Sequence, residues 1–167
     1  MALKAIEGKK RILMFRKLSD AETKAADKLA FQTEHEWSKE RDTDEVQTKS
    51  GPVISSGGVS RTLSISALST HDEVNEYLEK SVDDGEMLEV WDIDLSSPEG
   101  ENKYPALYAR GYLNSWTTPA AVDDMVSFDT EMNIEGVPVK GKVTLTEEQQ
   151  EDISYAFRDV TTFVPGP

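Results

Sequence analysis

At 167 residues the chain has room for one domain with a real core, and its 32 acidic against 18 basic residues give a formal charge of −14 at pH 7. That balance disfavours nucleic-acid binding through a basic surface, because phosphate contacts need clustered Lys and Arg. Cysteine is absent, which excludes disulfides and thiolate metal sites. No apolar leader and no run near the ~20 apolar residues of a membrane span is present, so the expectation is a soluble protein made in the cytoplasm, with no membrane partner. Leu, Ile, Val and Phe are sparse for this length, so the core is lean. Neighbouring subunits are expected to supply part of the burial.

The basic residues concentrate at the start, where Lys4, Lys9, Lys10, Arg11, Arg16 and Lys17 stand against Glu7 alone. This reads either as a Lys-protected edge strand or as a segment docking on an acidic neighbour, with Lys9, Lys10 and Arg11 as its candidates. Residues 12–15 (Ile-Leu-Met-Phe) form a short strand. Leu29, Phe31, Thr33, His35 and Trp37 alternate as a half-buried strand. Residues 38–58 then make an extended polar loop, long for a compact domain, in which Val53 and Ile54 suggest a short hairpin.

Val59, Arg61, Leu63, Ile65 and Ala67 alternate as the next strand. Thr70 and Glu73 have capping-box spacing, Val74, Tyr77, Leu78 and Val82 follow at helical intervals, and Gly85 ends the helix. Glu89, Trp91, Ile93 and Leu95 form a strand face. In residues 104–117, Tyr104, Ala106, Tyr108, Tyr112 and Trp116 share one face, with Leu107, Ala109 and Leu113 opposite and Gly111 marking a bulge. Val126, Phe128, Thr130, Met132 and Ile134 alternate cleanly. Residues 135–136 turn that strand, 137–145 return as its partner, 146–150 make a helical turn, and 154–163 close with a last strand. The sum is mainly β, a single domain over residues 1–167: a β-sandwich or barrel of seven or eight strands flanked by one helix.

Catalytic and metal signatures fail on inspection. Asp42 and Asp44 open like a calcium loop, but Val46 and Gln47 occupy the next key places; Asp92 and Asp94 lead to Ser97 where a turn glycine is needed. His35 and His71 are the only histidines, and ordinary structural roles suit both. No phosphate-binding loop or nucleophile elbow occurs. No cofactor is expected, and the chain does not read as an enzyme. Trp37, Trp91 and Trp116 could line a glycan-binding face, although core packing is the commoner use of tryptophan in alternating strands.

The sequence FQTEHEWS at 31–38, RDTD at 41–44 and TKSGP at 48–52 resembles the front half of the phage major tail proteins. These are tail-tube subunits of long, non-contractile-tailed phages of Gram-positive bacteria. EVWDI at 89–93, YPALYAR at 104–110 leading into Gly111, Tyr112 and Leu113, and GVPVKG at 136–141 resemble the second half, in the right order. The resemblance implies a tail-tube fold, hexameric rings stacked around a tape-measure protein, terminator and distal tail proteins at the ends, and a place in the virion tail. DNA passes through such a lumen without specific binding, which the acidity suits. Arg41, Asp42, Asp44 and Lys49 are the candidates for ring-to-ring contact, with the basic N-terminal segment second. A terminator, neck ring or secretion-tube component, and a monomeric glycan-binding sandwich, remain as alternatives.

Overall fold

The computed structural model describes Leu3 and residues 5–145, so the helical turn and last strand expected at 146–150 and 154–163 lie outside the described residues. Seven strands and one α-helix follow in the order β1 (Arg11–Lys17), β2 (Asp27–Lys28), β3 (Gln32–Thr48), β4 (Gly51–Leu68), α1 (Glu73–Asp84), β5 (Leu88–Asp94), β6 (Lys103–Thr117) and β7 (Ser127–Thr144). All belong to one antiparallel sheet, ordered β2-β1-β5-β6-β7-β4-β3. The expected sandwich or barrel is realised as this sheet rolled until its ends meet. At the seam the Gln32 amide donates to the Leu13 carbonyl at 2.8 Å, and its oxygen accepts the Leu13 N–H at 2.9 Å. A β3 side chain thus stands in for a ladder pair.

Alternation decides what the roll encloses, because successive side chains point to opposite faces. Leu13, Phe15, Leu63, Ile65, Leu88, Val90, Phe128 and Met132 point inward and are essentially inaccessible. Each such side chain contributes about 1.5–3 kcal/mol on burial. Val74 and Leu78 of α1 close one end of this core. The helix starts at Asp72, whose carboxylate accepts the Asn75 N–H at 2.9 Å, rather than at Thr70, and Gly85 closes it. A smaller cluster of Met14, Ile93, Ala106 and Leu145 lies on the outer face of β1, β5 and β6, flanked by Trp91, Tyr104 and Val143.

Local geometry departs from the expected pattern at several places. Leu29 is buried but Phe31 is 64% exposed, because the chain turns at Phe31 (φ 50°) between β2 and β3. Residues 135–136 do not turn the chain. β7 runs through them with a bulge, both halves paired to β6, and the positive φ of Gly136 (72°) accommodates the extra residues. A second bulge, after Leu113, rotates Trp116 inward onto Phe128 (ring centroids 4.3 Å apart) rather than onto the tyrosine face. Gly111 marks a close approach rather than a bulge: a Cβ there would lie 2.0 Å from the Asn133 carbonyl oxygen.

Candidate assembly surfaces

β4 pairs with β7 only from Thr62 to Leu68, whereas it pairs with β3 along its whole length. Beyond the Glu40–Ser60 pair the two strands therefore leave the sheet as a lone two-stranded ribbon. The segment expected as a polar loop at 38–58 is this ribbon and its root, because side-chain polarity does not prevent backbone pairing. Eight residues from Arg41 to Thr48 extend it by about 26 Å. Arg41 steadies its root, donating to the Ser56 hydroxyl and the Gly57 carbonyl at 3.0 Å each, across the bulge between Arg41 and Thr43. Asp42 and Asp44 follow, Lys49 sits in the tip turn, and Val46, Val53 and Ile54 are all more than half exposed there. A two-stranded ribbon without a hydrophobic partner is marginal in water.

The outward face of β3, β4, β7 and β6 forms the second surface. Register aligns Glu36, Ser64 and Glu131 in one row, Glu34, Ser66 and Asp129 in the next, and Ser38, Thr62, Asn133 and Tyr112 in a third. Glu40 with Ser60 extends it toward the ribbon. Small hydroxyls separate the carboxylates, and two contacts hold them in place: Ser66 donates to Asp129 at 2.6 Å and Asn114 to Glu131 at 3.2 Å. No Lys or Arg projects from these rows. Arg110 stands at their border on β6, 4.0 Å from Glu135.

A buried polar clasp fixes the direction of β3, and so of the ribbon. Asp92 is 1% exposed and accepts hydrogen bonds from Trp37 Nε1 at 2.7 Å and Arg11 Nε at 3.0 Å, with His35 Nε2 at 3.1 Å. Burial alone would raise its carboxyl pKa; the hydrogen bonds from His35 and Arg11, the His35 charge and the Trp37 bond outweigh that and hold it below the usual value. Arg11, a candidate for docking on a neighbour, is thereby paired within its own subunit while its side chain stays partly exposed. Lys9 and Lys10 stay in the short 3-10 turn ahead of β1, with Lys9 3.8 Å from Glu7. The structure therefore gathers Arg41, Asp42, Asp44 and Lys49 on one arm and divides the basic segment.

A mirror arrangement serves the outer face. Glu89, 4% exposed, accepts from Arg16 Nε at 2.9 Å and from the Tyr108 hydroxyl, while Arg16 lies over Trp91, 5.0 Å from its ring centroid. Burial, then the Glu89 contact, pushes the Tyr108 hydroxyl up to about 12. The three tryptophans are thus engaged within the fold, which disfavours the glycan-binding alternative. Sequence reasoning missed the acidic face and the clasp. The face was legible as Glu34-x-Glu36-x-x-x-Glu40 and Asp129-x-Glu131, but joining the two required the β4 register.

The sequence model of the phage tail tube protein family matches residues 5–140. The chain belongs to that family. A putative tail protein of Staphylococcus phage phiMR25 is 30% identical to this tail tube protein over 159 residues, spanning 90% of this chain and 81% of the relative. The SPP1 tail tube, solved by solid-state NMR and cryo-EM, superposes with a TM-score of 0.74 over 97% of this chain and 98% of its own, at 21% identity. The tail of a gene transfer agent particle, refined with C6 symmetry, gives 0.61 over 81% and 98%, at 16% identity. The phage tail tube protein is accordingly a structural virion protein of the tail, and its rolled sheet with one helix is the tail-tube fold.

Proposed function

We propose that six copies close into a ring, that rings stack into the tail tube, and that the acidic rows of β3, β4, β7 and β6 line the lumen. A head-to-tail interface of this kind closes laterally and repeats axially. Carboxylates spaced by small hydroxyls repel phosphate, and the rows offer no cation that would hold it. DNA then passes without sticking, and a tape-measure protein occupies the lumen earlier, with terminator and distal tail proteins at the tube ends. The role is structural, with no catalytic step assigned to the chain.

The observation that carries this reading is the ribbon, which has no packing partner among the described residues of its own subunit and reaches far enough to contact the next ring. Arg41, Asp42, Asp44 and Lys49 are its contact candidates. The test is negative-stain electron microscopy of purified protein across concentrations, beside light scattering. The full chain is expected to give tubes or six-fold rings. Deleting residues 42–56 is expected to cut tube yield at least tenfold while leaving the subunit's melting curve nearly unchanged, since the deleted strands make no core contacts; unchanged tube length and yield would refute the arm's role.

The lumen assignment has its own check. The chain lacks cysteine, so Ser64→Cys introduces a single label site in the middle of the acidic rows. Biotin attached there is expected to be out of reach of streptavidin in tubes and captured after dissociation. Capture from intact tubes would place the face elsewhere.

A further inference from the structure

Within the tube reading just given, we infer that successive rings are joined by a charge-complementary socket: a basic mouth at one end of the roll receives the acidic outer stripe of α1 from the next copy. The mouth opens where β4 and β7 part company. Lys39 and Arg61 are register partners on β3 and β4, and Lys140 of β7 faces them across a groove of about 330 Å³ floored by Trp37, Val137 and Pro138. No carboxylate lines this groove. Arg61 reaches only the Gly136 carbonyl, at 3.4 Å, and none of the three cations has an ion pair among the described residues.

Three unpaired cations converging in a chain with 32 acidic residues repel one another unless an external anion joins them. The helix supplies the matching stripe. Glu76, Glu79 and Asp83 are spaced i, i+3 and i+7, so they share one helix face about 10 Å long, and all three are exposed. The neighbouring carboxylates already have partners, Glu73 with Lys24 at 3.4 Å and Asp84 with Lys80 at 4.0 Å. The stripe itself is free of ion pairs among the described residues.

Strand direction puts the two surfaces at opposite ends of the subunit. β1 begins near the mouth, where Arg11 lines an adjoining groove with Leu107 and Lys140, and ends beside the helix, where Tyr77 donates to the Phe15 carbonyl at 3.1 Å and Lys17 lies over the Tyr77 ring. β5 starts beside the helix and ends at Asp92 and Asp94, by the mouth. A stack of identically oriented copies therefore brings stripe toward mouth. The ribbon leaves the sheet on the mouth side, so ribbon and socket would engage the same neighbouring ring.

The test is a charge swap within one chain, since every subunit carries both surfaces. Arg61→Glu with Lys140→Glu, and separately Glu76→Lys with Glu79→Lys, are each expected to lower tube yield at least tenfold. The four changes together are expected to restore it to within about twofold. Either pair polymerising like the parent, or the fourfold variant staying unassembled with a parental melting curve, would overturn the socket. A direct contact probe uses the cysteine-free background: Arg61→Cys with Glu79→Cys should give an intermolecular disulfide ladder on mild oxidation. Tubes that form without that ladder refute the socket alone, whereas a parent chain that never forms rings or tubes refutes the tube reading.

Discussion

Gly111→Ala is expected to cost about 3 kcal/mol or more, which lowers the melting temperature by roughly 6–12 °C or more. The new methyl would sit 2.0 Å from the Asn133 carbonyl oxygen, 2.9 Å from the Asn133 carbonyl carbon and 3.1 Å from the Ile134 Cα. All three are backbone atoms, so no rotamer change relieves the clash. β6 and β7 must separate, and that pairing carries the inward row of Leu113 and Met132. Overpacking alone costs about 1–3 kcal/mol, and loss of ladder bonds adds to it, against a total stability of roughly 5–15 kcal/mol. Gly141→Ala, in the neighbouring strand β7 with open space at its Cβ position, is the control and should shift stability by no more than about 0.5 kcal/mol. Urea denaturation of both variants decides the matter.

Asp92→Ala is the second large effect, expected at about 3 kcal/mol, because it removes the buried acceptor that the half-buried Arg11 guanidinium, the Trp37 N–H and His35 share. Its pH signature separates it from a simple cavity. The folded carboxyl is held below its ordinary value of 3.8, so the stability it contributes is fully present above about pH 4 and is lost as pH falls through the lower folded value. The parent should therefore lose melting temperature below pH 4 more steeply than Asp92→Asn, which keeps the shape but carries no titrating proton. Parallel melting profiles of the two between pH 2.5 and 7 would show that the clasp contributes nothing through its charge. Disruption should also loosen the root of β3, so the aspartate variants are expected to assemble less well even where they remain folded.

Most of the architecture was legible because burial imposes a period. The row Phe128, Thr130, Met132, Ile134 and the row Leu63, Ile65, Ala67 announce themselves as strands with one buried side, and α1 as a helix with one apolar stripe. The ribbon was not legible because, with nothing packed on either face, residues 41–48 carry no alternation, and a paired strand without alternation looks like a loop. Trp116 was assigned to the wrong face because a single bulge reverses parity, and no residue at 113–115 advertises it. The helix cap was misplaced by two residues since Thr70 and Asp72 are both competent caps. The proposed contact candidates divided similarly: Arg41, Asp42, Asp44 and Lys49 drew notice through their place in an unusual polar stretch and fall together on the ribbon, whereas Arg11 looked free until a carboxylate 81 residues away was brought beside it.

The ribbon also bears on timing. A pair of strands that is barely stable alone gains its order from the surface it meets, so the first contact between two free subunits must cover the ordering cost of both arms with little surface to show for it. A subunit arriving at an existing ring meets a full annulus of ready contacts and recovers that cost at once. On the proposed docking of the ribbon, growth from a seed is expected to be faster than spontaneous initiation, giving a lag phase in light scattering that preformed tube ends abolish.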